Sequence, residues 1–284
     1  MQILRIAAFS DGQVGGNPAG VAILDGLPDS ETMQRVAAEV GYSETAFAAP
    51  VGEGWRVRYF APETEVPFCG HATMALGAAL ASRHGDGVFP LALNEARITV
   101  EGHRTGATFA AALRSPPTRS APADAGLITS ALALFGYATD ELDARLPPAI
   151  VEAGARHLFL ALGSRARLAA MRYGQAAGTA LMRRAGVVTV ALTFAETPRR
   201  FHGRNAFAAG GVYEDPATGA AAAALAGYLR DLGWPHGGAI EITQGEDMGM
   251  RSRLFVDIGA IPGESVRVSG TARIITEHET ETGS

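Results

Sequence analysis

Four side chains in this sequence have the types and settings to move protons or hold charge: Glu44, Cys69, His71 and Asp215. Cys69 and His71 flank a glycine in Phe68-Cys69-Gly70-His71-Ala72-Thr73, which runs straight into the Ala-rich stretch Met74-Ala75-Leu76-Gly77-Ala78-Ala79-Leu80. An imidazole titrates near neutral pH unaided and serves as acid or base, although a satisfied buried histidine reads the same way. A thiol at a helix start can be held as thiolate. A free cysteine is more often an inert buried hydrophobe, and that reading is favoured here. Glu44 lies in Gly41-Tyr42-Ser43-Glu44-Thr45-Ala46-Phe47, with no other charge nearby. Apolar strand neighbours desolvate a carboxylate and favour its neutral form, as proton exchange at neutral pH requires. Spacing alone favours a solvated glutamate at a strand end. Asp215 precedes Pro216 in Glu214-Asp215-Pro216-Ala217-Thr218-Gly219, where it fits an N-cap with proline in the first helical position, and capping can be its whole task. Asn17, after two glycines and before a proline, fits a turn former.

What must position these groups is a pair of buried helices. The stretches beginning at Gly70 and after Thr218 are apolar and rich in small residues, which lets other elements approach from all sides. At a helix start the first N–H groups have no intrahelical partner and the dipole favours an anion. The recurrence of Ala-Thr at Ala72-Thr73 and Ala217-Thr218 suggests two similar halves facing one cleft.

Composition narrows the chemistry. The chain has 284 residues, 47% hydrophobic and 19% charged, enough for a sizeable core in one large or two medium domains. A net charge of −5 with no basic run gives no basis for nucleic-acid binding. Neither a signal peptide nor a membrane-length apolar run is visible, so a cytoplasmic location is expected. The single cysteine excludes an internal disulfide and a multi-cysteine metal cage, and the histidines show no paired zinc spacing. All 24 Lys+Arg residues are arginine, which excludes a Schiff-base lysine and a P-loop lysine.

Read in order, the pattern predicts a strand over Met1–Phe9, a loop over Asp11–Gly20 and a strand over Val21–Leu24. A helix from Asp29 or Ser30 to Val40 follows, with Gly41 at C′. Strands are expected at Ser43–Ala48, Trp55–Phe60, Ala92–Asn94, Arg97–Glu101 and Thr108–Leu113. Arg114–Pro122 has the composition of a linker. Beyond it, helices are expected at Ile128–Phe135, Arg165–Met171 and Gln175–Arg184. Strands are expected at Ala149–Glu152, His157–Leu162, Val187–Phe194, Arg200–Phe207, Ala239–Thr243, Arg253–Ile258, Ser265–Ser269 and Thr271–Thr276. Glu277–Ser284 is a polar tail. Many strands with one apolar helix per half point to α+β.

The segments Gly16-Asn17-Pro18-Ala19-Gly20, Ser43-Glu44-Thr45-Ala46-Phe47, Phe68-Cys69-Gly70-His71-Ala72-Thr73 and Glu214-Asp215-Pro216-Ala217-Thr218-Gly219 together resemble the PhzF-like family of phenazine biosynthesis. Gln244-Gly245, Met248-Gly249, Arg251 and Val268-Ser269-Gly270-Thr271-Ala272 extend the likeness over nearly the whole chain. The resemblance implies the diaminopimelate-epimerase-like fold: two pseudo-symmetric halves, each a mixed β-barrel around a central helix, with the active site between them. The expected halves are residues 1–115 and 128–284, joined by a linker at 116–127, with the last strand returning to the first half. A homodimer and the absence of a cofactor are also implied, and from the cysteine count and histidine spacing no metal is expected. The activity implied is isomerisation of a small carboxylated substrate by proton movement. Glu44 matches the family's proton shuttle, and His71 and Asp215 match its other polar active-site groups. Asn17, Gly70, Thr218, Gly219 and Ala220 match substrate-binding positions, the glycines through backbone N–H groups. Ala220 stands where the family often has serine, so a partner for the phenazine substrate is missing. Two rivals are kept: a two-base epimerase or racemase on the same fold, and a catalytically silent small-molecule-binding protein. The first needs a cysteine at each helix start, and the second helix has none.

Overall fold

The structure, a computed structural model, describes residues 1–94 and 96–276. The polar tail expected at Glu277–Ser284 lies outside the described residues. The chain divides into two compact units, Met1–Arg114 with Ser269–Ser284, and Ser115–Val268. Both are of mixed α+β type.

The first unit contains strands β1 (Leu4–Ser10), β2 (Asn17–Ile23), β3 (Thr45–Val51), β4 (Gly54–Phe60), β5 (Glu65–Val66), β6 (Gly87–Ala92), β7 (Arg97–Thr105) and β8 (Thr108–Arg114). Its helices are α1 (Ser30–Val40) and α2 (Gly70–His84). The capping signals of α1 were legible: Asp29 Oδ1 accepts from the Thr32 N–H, and Gly41 closes the helix in the left-handed region. Pairing runs β1–β2 antiparallel, β2–β3 parallel, β3–β4 antiparallel, β4–β6 parallel, then β6–β7 and β7–β8 antiparallel. The late segment Arg267–Ile274 pairs with both β8 and β1. Helix α2 packs on β7, β2, β8 and β1, and every residue from His71 to Ala81 is buried.

That burial depends on a close approach at one point. A Cβ on Gly102 would lie 2.2 Å from the Gly77 carbonyl oxygen, and one on Gly77 would lie 2.6 Å from Val100 Cγ2. Glycine on both sides lets helix and strand backbones touch.

The second unit contains β9 (Arg119–Pro122), β10 (Ala149–Glu152), β11 (Arg156–Ala161), β12 (Thr189–Ala195), β13 (Arg200–Ala206), β14 (Glu214–Asp215), β15 (Ala239–Gln244) and β16 (Ser252–Asp257). Its helices are α3 (Ala125–Phe135), α4 (Arg165–Ala169), α5 (Gln175–Ala185) and α6 (Gly219–Asp231). Pairing from β10 repeats the earlier order: β10–β11 antiparallel, β11–β12 parallel, β12–β13 antiparallel, β13–β15 parallel, β15–β16 antiparallel. Helix α6 packs on β9, β10, β11 and β16.

Four local expectations are corrected. Asn17–Gly20 belongs to β2 rather than to a loop, because Asn17 to Gly20 pair with Ala8 to Arg5 of β1. The linker-like stretch contains β9, held by β10 from Glu152 to Ala149, and α3 begins at Ala125. The two terminal strands are one, β17 (Arg267–Ile274), which runs through Gly270. Asp215 does not cap α6; it lies in β14, paired with Asn205, and Thr218 is the N-cap residue with Gly219 first in the helix. No helix among the described residues is long and apolar enough to cross a membrane.

Candidate active site

Glu44 directly precedes β3, whose first residues pair in parallel with β2. Its carbonyl accepts from the Gly20 N–H, which fixes the backbone. Cys69 is the extended N-cap residue of α2 and makes no side-chain capping bond. His71 is the second residue of the helix. These elements bring three side chains together that are remote in sequence. His71 Nε2 lies 3.4 Å from Glu44 Oε2 and 3.3 Å from Ser43 Oγ. His71 Nδ1 lies 3.4 Å from Cys69 Sγ. Side chains of His71 and Glu44 are 7% and 15% exposed, so the pair is shielded while retaining an opening. Glu44 Oε2 is buried and accepts no hydrogen bond among the described residues. A buried carboxylate oxygen without a donor is a costly arrangement, and such arrangements concentrate where a group must exchange a proton. Of the other residues in this unit, Gly70 is the first residue of α2, and Asn17 opens β2 with 2% exposure. Gly16, before Asn17, has φ +87, and a Cβ there would lie 2.9 Å from the Ala8 carbonyl oxygen.

Asp215 and Thr218 form a second cluster, within the other unit. Thr218 Oγ1 donates to Asp215 Oδ2, so it must accept from its other partners, Asn205 Nδ2 and Gln244 Nε2. Gln244 also takes the Thr218 N–H on Oε1, at 3.3 Å, and gives Nε2 to the Asp215 carbonyl, at 2.7 Å. One glutamine thereby holds the extended turn that a helix cap was expected to hold. Asn205 Oδ1 is buried and accepts no hydrogen bond among the described residues. Ser43 and Gln244 stand out in the sequence only as members of the family-like segments, and Asn205 not at all. No local signal marks Asn205, whose role follows from its register opposite Asp215.

The registers show how the two units correspond. Phe60 pairs with Thr45 and Glu65 in the first unit; Ala206 pairs with Val190 and Glu214 in the second. Both have an arginine two residues earlier that forks onto the paired glutamate. Arg58 Nε and Nη2 donate to Glu65, and Arg204 Nε and Nη2 donate to Glu214. In the first unit this fork holds the Glu65 carboxyl below its ordinary range. On this alignment Glu44 corresponds to Thr189, Cys69 to Thr218 and His71 to Ala220. The ionisable trio therefore has no counterpart in the second unit, which carries the amide–hydroxyl–carboxylate cluster instead.

The family model described as "Phenazine biosynthesis-like protein" (PhzC-PhzF) matches residues 6–278. The chain belongs to this family, and its class of enzyme is that of the isomerases. The trans-2,3-dihydro-3-hydroxyanthranilate isomerase of Pseudomonas aeruginosa is 32% identical over 292 residues, covering 96% of each chain. An uncharacterized isomerase of the same organism is 45% identical over 80 residues, 28% of this chain and 31% of that one. A solved structure described as a predicted epimerase from Pseudomonas aeruginosa is 27% identical, covers 96% of both chains and gives a TM-score of 0.84.

Proposed function

We propose that this isomerase moves a proton between carbons of a small carboxylated substrate, without a cofactor, and that Glu44 carries the proton. The observation that carries the reading is the Glu44 Oε2 atom: buried, without a hydrogen-bond donor, and 3.4 Å from His71 Nε2. The ionised carboxylate takes a proton from carbon, and the electron pair left behind shifts into the conjugated system. The same carboxyl then returns the proton at another carbon, so the atoms of substrate and product are identical. His71 orients the carboxyl and stabilises the charge that develops. Within the first unit the N–H of Gly70, where α2 begins, suits a substrate carboxylate, and within the second unit the N–H of Gly219, where α6 begins, suits the same kind of group. Asp215 and Thr218 are the polar groups the second unit offers to a substrate, and Asn17 is one that the first unit offers. Ala220 offers no hydroxyl, and a buried substrate group left unpaired there costs about 1–3 kcal/mol. The substrate is for that reason proposed to differ from the dihydro-hydroxyanthranilate of the named relative.

The same proposal covers the architecture. Strand pairing in the first unit returns through β17 to β1 around α2, which supports a barrel with a helix at its centre. The repeated pairing order and the twin arginine forks support a pseudo-symmetric second half. A homodimer is carried over from the resemblance, and a cytoplasmic location is proposed from the sequence pattern alone.

The test is deuterium incorporation. Protein is incubated with a pooled metabolite extract in D₂O, and mass gains are read by mass spectrometry beside Glu44→Gln. The wild type should label one or more carboxylates, and Glu44→Gln, with an unchanged circular dichroism spectrum, should lose labelling by a factor of about 10² or more. Labelling by Glu44→Gln at the wild-type rate would overturn the role of Glu44.

A further inference from the structure

Glu44, Cys69 and His71 offer a chemistry that proton transfer does not use. A carboxylate oxygen, a thiol sulfur and an imidazole nitrogen, one from each residue, all lie within 4.8 Å of one another. His71 Nε2 is 3.4 Å from Glu44 Oε2 and 4.0 Å from Cys69 Sγ, so the three atoms form a compact triangle. A tetrahedral zinc ion holds nitrogen and oxygen at about 2.1 Å and sulfur at about 2.3 Å, which puts its ligand atoms roughly 3.5 Å apart. Reaching that arrangement takes shifts of about an ångström. The two residues that must move are not inside a helix: Cys69 is the extended residue ahead of α2, and Glu44 precedes β3. The carboxylate oxygen facing the histidine has no hydrogen bond to give up. Sequence spacing concealed the set, because Glu44 is 25 residues upstream of Cys69 and 27 upstream of His71.

We propose that Glu44, Cys69 and His71 form a binding site for a borderline-to-soft divalent cation, zinc first, that shuts the enzyme off by taking its proton carrier as a ligand. The inhibition rests on the proton-transfer reading of Glu44; the binding site does not. One thiolate, one imidazole and one carboxylate select zinc, cobalt or cadmium over magnesium and calcium, which prefer all-oxygen sites. Binding displaces the thiol proton to solvent. Three protein ligands leave the fourth position open, so solvent completes the shell.

Cobalt(II) is the probe. Titrated into the full chain, it should produce a thiolate-to-cobalt charge-transfer band in the near ultraviolet and the visible absorption of a tetrahedral ion. Zinc should erase both, and magnesium should leave them in place. Cys69→Ser should lose the charge-transfer band. Glu44→Gln should weaken binding by more than the about 10–100-fold typical of losing an outer-shell partner. Thermal melting verifies that each variant is folded; if Cys69→Ser does not fold, Glu44→Gln and His71→Gln decide. A wild type without the thiolate band, or a cobalt affinity unchanged in Glu44→Gln and His71→Gln, overturns the site. The two readings fail separately. A chain that exchanges deuterium but shows no thiolate band has no such metal site. One with the band, whose labelling survives stoichiometric zinc, keeps the site and loses the inhibition.

Discussion

At the scale of single residues, acid–base groups in this chain behave according to what surrounds them and not according to their local sequence. Asp215 followed by Pro216 has the local look of a helix cap, yet its pairing with Asn205 keeps it extended, and Thr218 takes the cap position. That pairing spans ten residues and a turn, so no window of neighbours displays it. The neighbours of Glu44 favour a solvated glutamate, the resemblance puts it with His71 in one active site, and only the structure brings Cys69 beside both. His157 escaped notice entirely. It is 1% exposed, its Nδ1 meets Thr189 Oγ1 at 2.7 Å, and its Nε2 has no partner among the described residues. Burial pushes its pKa down from 6.5 to about 4. The folded state thus favours neutral imidazole. Its stabilising contribution is complete above pH 6.5, the unfolded value, and drains away as pH falls towards about 4, to a total of roughly 3 kcal/mol. Urea unfolding of wild type and His157→Gln at a series of pH values from 7 to 4 measures this. The gap between the two should close towards the wild type's disadvantage as the pH drops, and parallel curves would contradict it.

At the scale of elements, apolar runs and capping residues announced most helices and strands, because those signals are local. Failures fell where a distant partner decides. Proline-rich 116–122 resembles a linker until β10 supplies a neighbour, and Gly270 resembles a break until β1 and β8 flank it. The contact between α2 and β7 is a further case: Gly77 and Gly102 carry no sign in the sequence that each exists for the other. Gly102→Ala should destabilise the protein by about 3 kcal/mol or abolish folding, since its Cβ would meet backbone that cannot swing aside. A melting temperature equal to wild type would refute the close approach. Gln244 is the comparable device ahead of α6. Gln244→Ala strips partners from the Thr218 N–H and the Asp215 carbonyl, and should cost about 2 kcal/mol with a drop in turnover larger than any change in KM. Chemical denaturation and steady-state kinetics on a substrate found by the deuterium screen would read both effects.

At the scale of the whole molecule, the strand registers allow the two units to be aligned, and the aligned positions carry different side chains. One unit carries Glu44, Cys69 and His71; the aligned positions of the other carry Thr189, Thr218 and Ala220. A sequence shows which residues exist, but correspondence between halves with so little identity needs pairing partners to define it. The first unit also takes in β17 from Ser269 onward, a segment remote in sequence from the rest of that unit. A fragment of residues 1–114 would expose the facing edges of β1 and β8, and circular dichroism should find no cooperative melt for it; a sharp transition would show that β17 is dispensable. The same arrangement bears on how the protein is made. Synthesis delivers β1 and β8 before β17, so the edges that β17 pairs with lack that partner until the intervening second unit, Ser115–Val268, has emerged. Until then those open strand edges are exposed to other nascent chains, and the second unit, continuous in sequence, is free to fold before the first is closed.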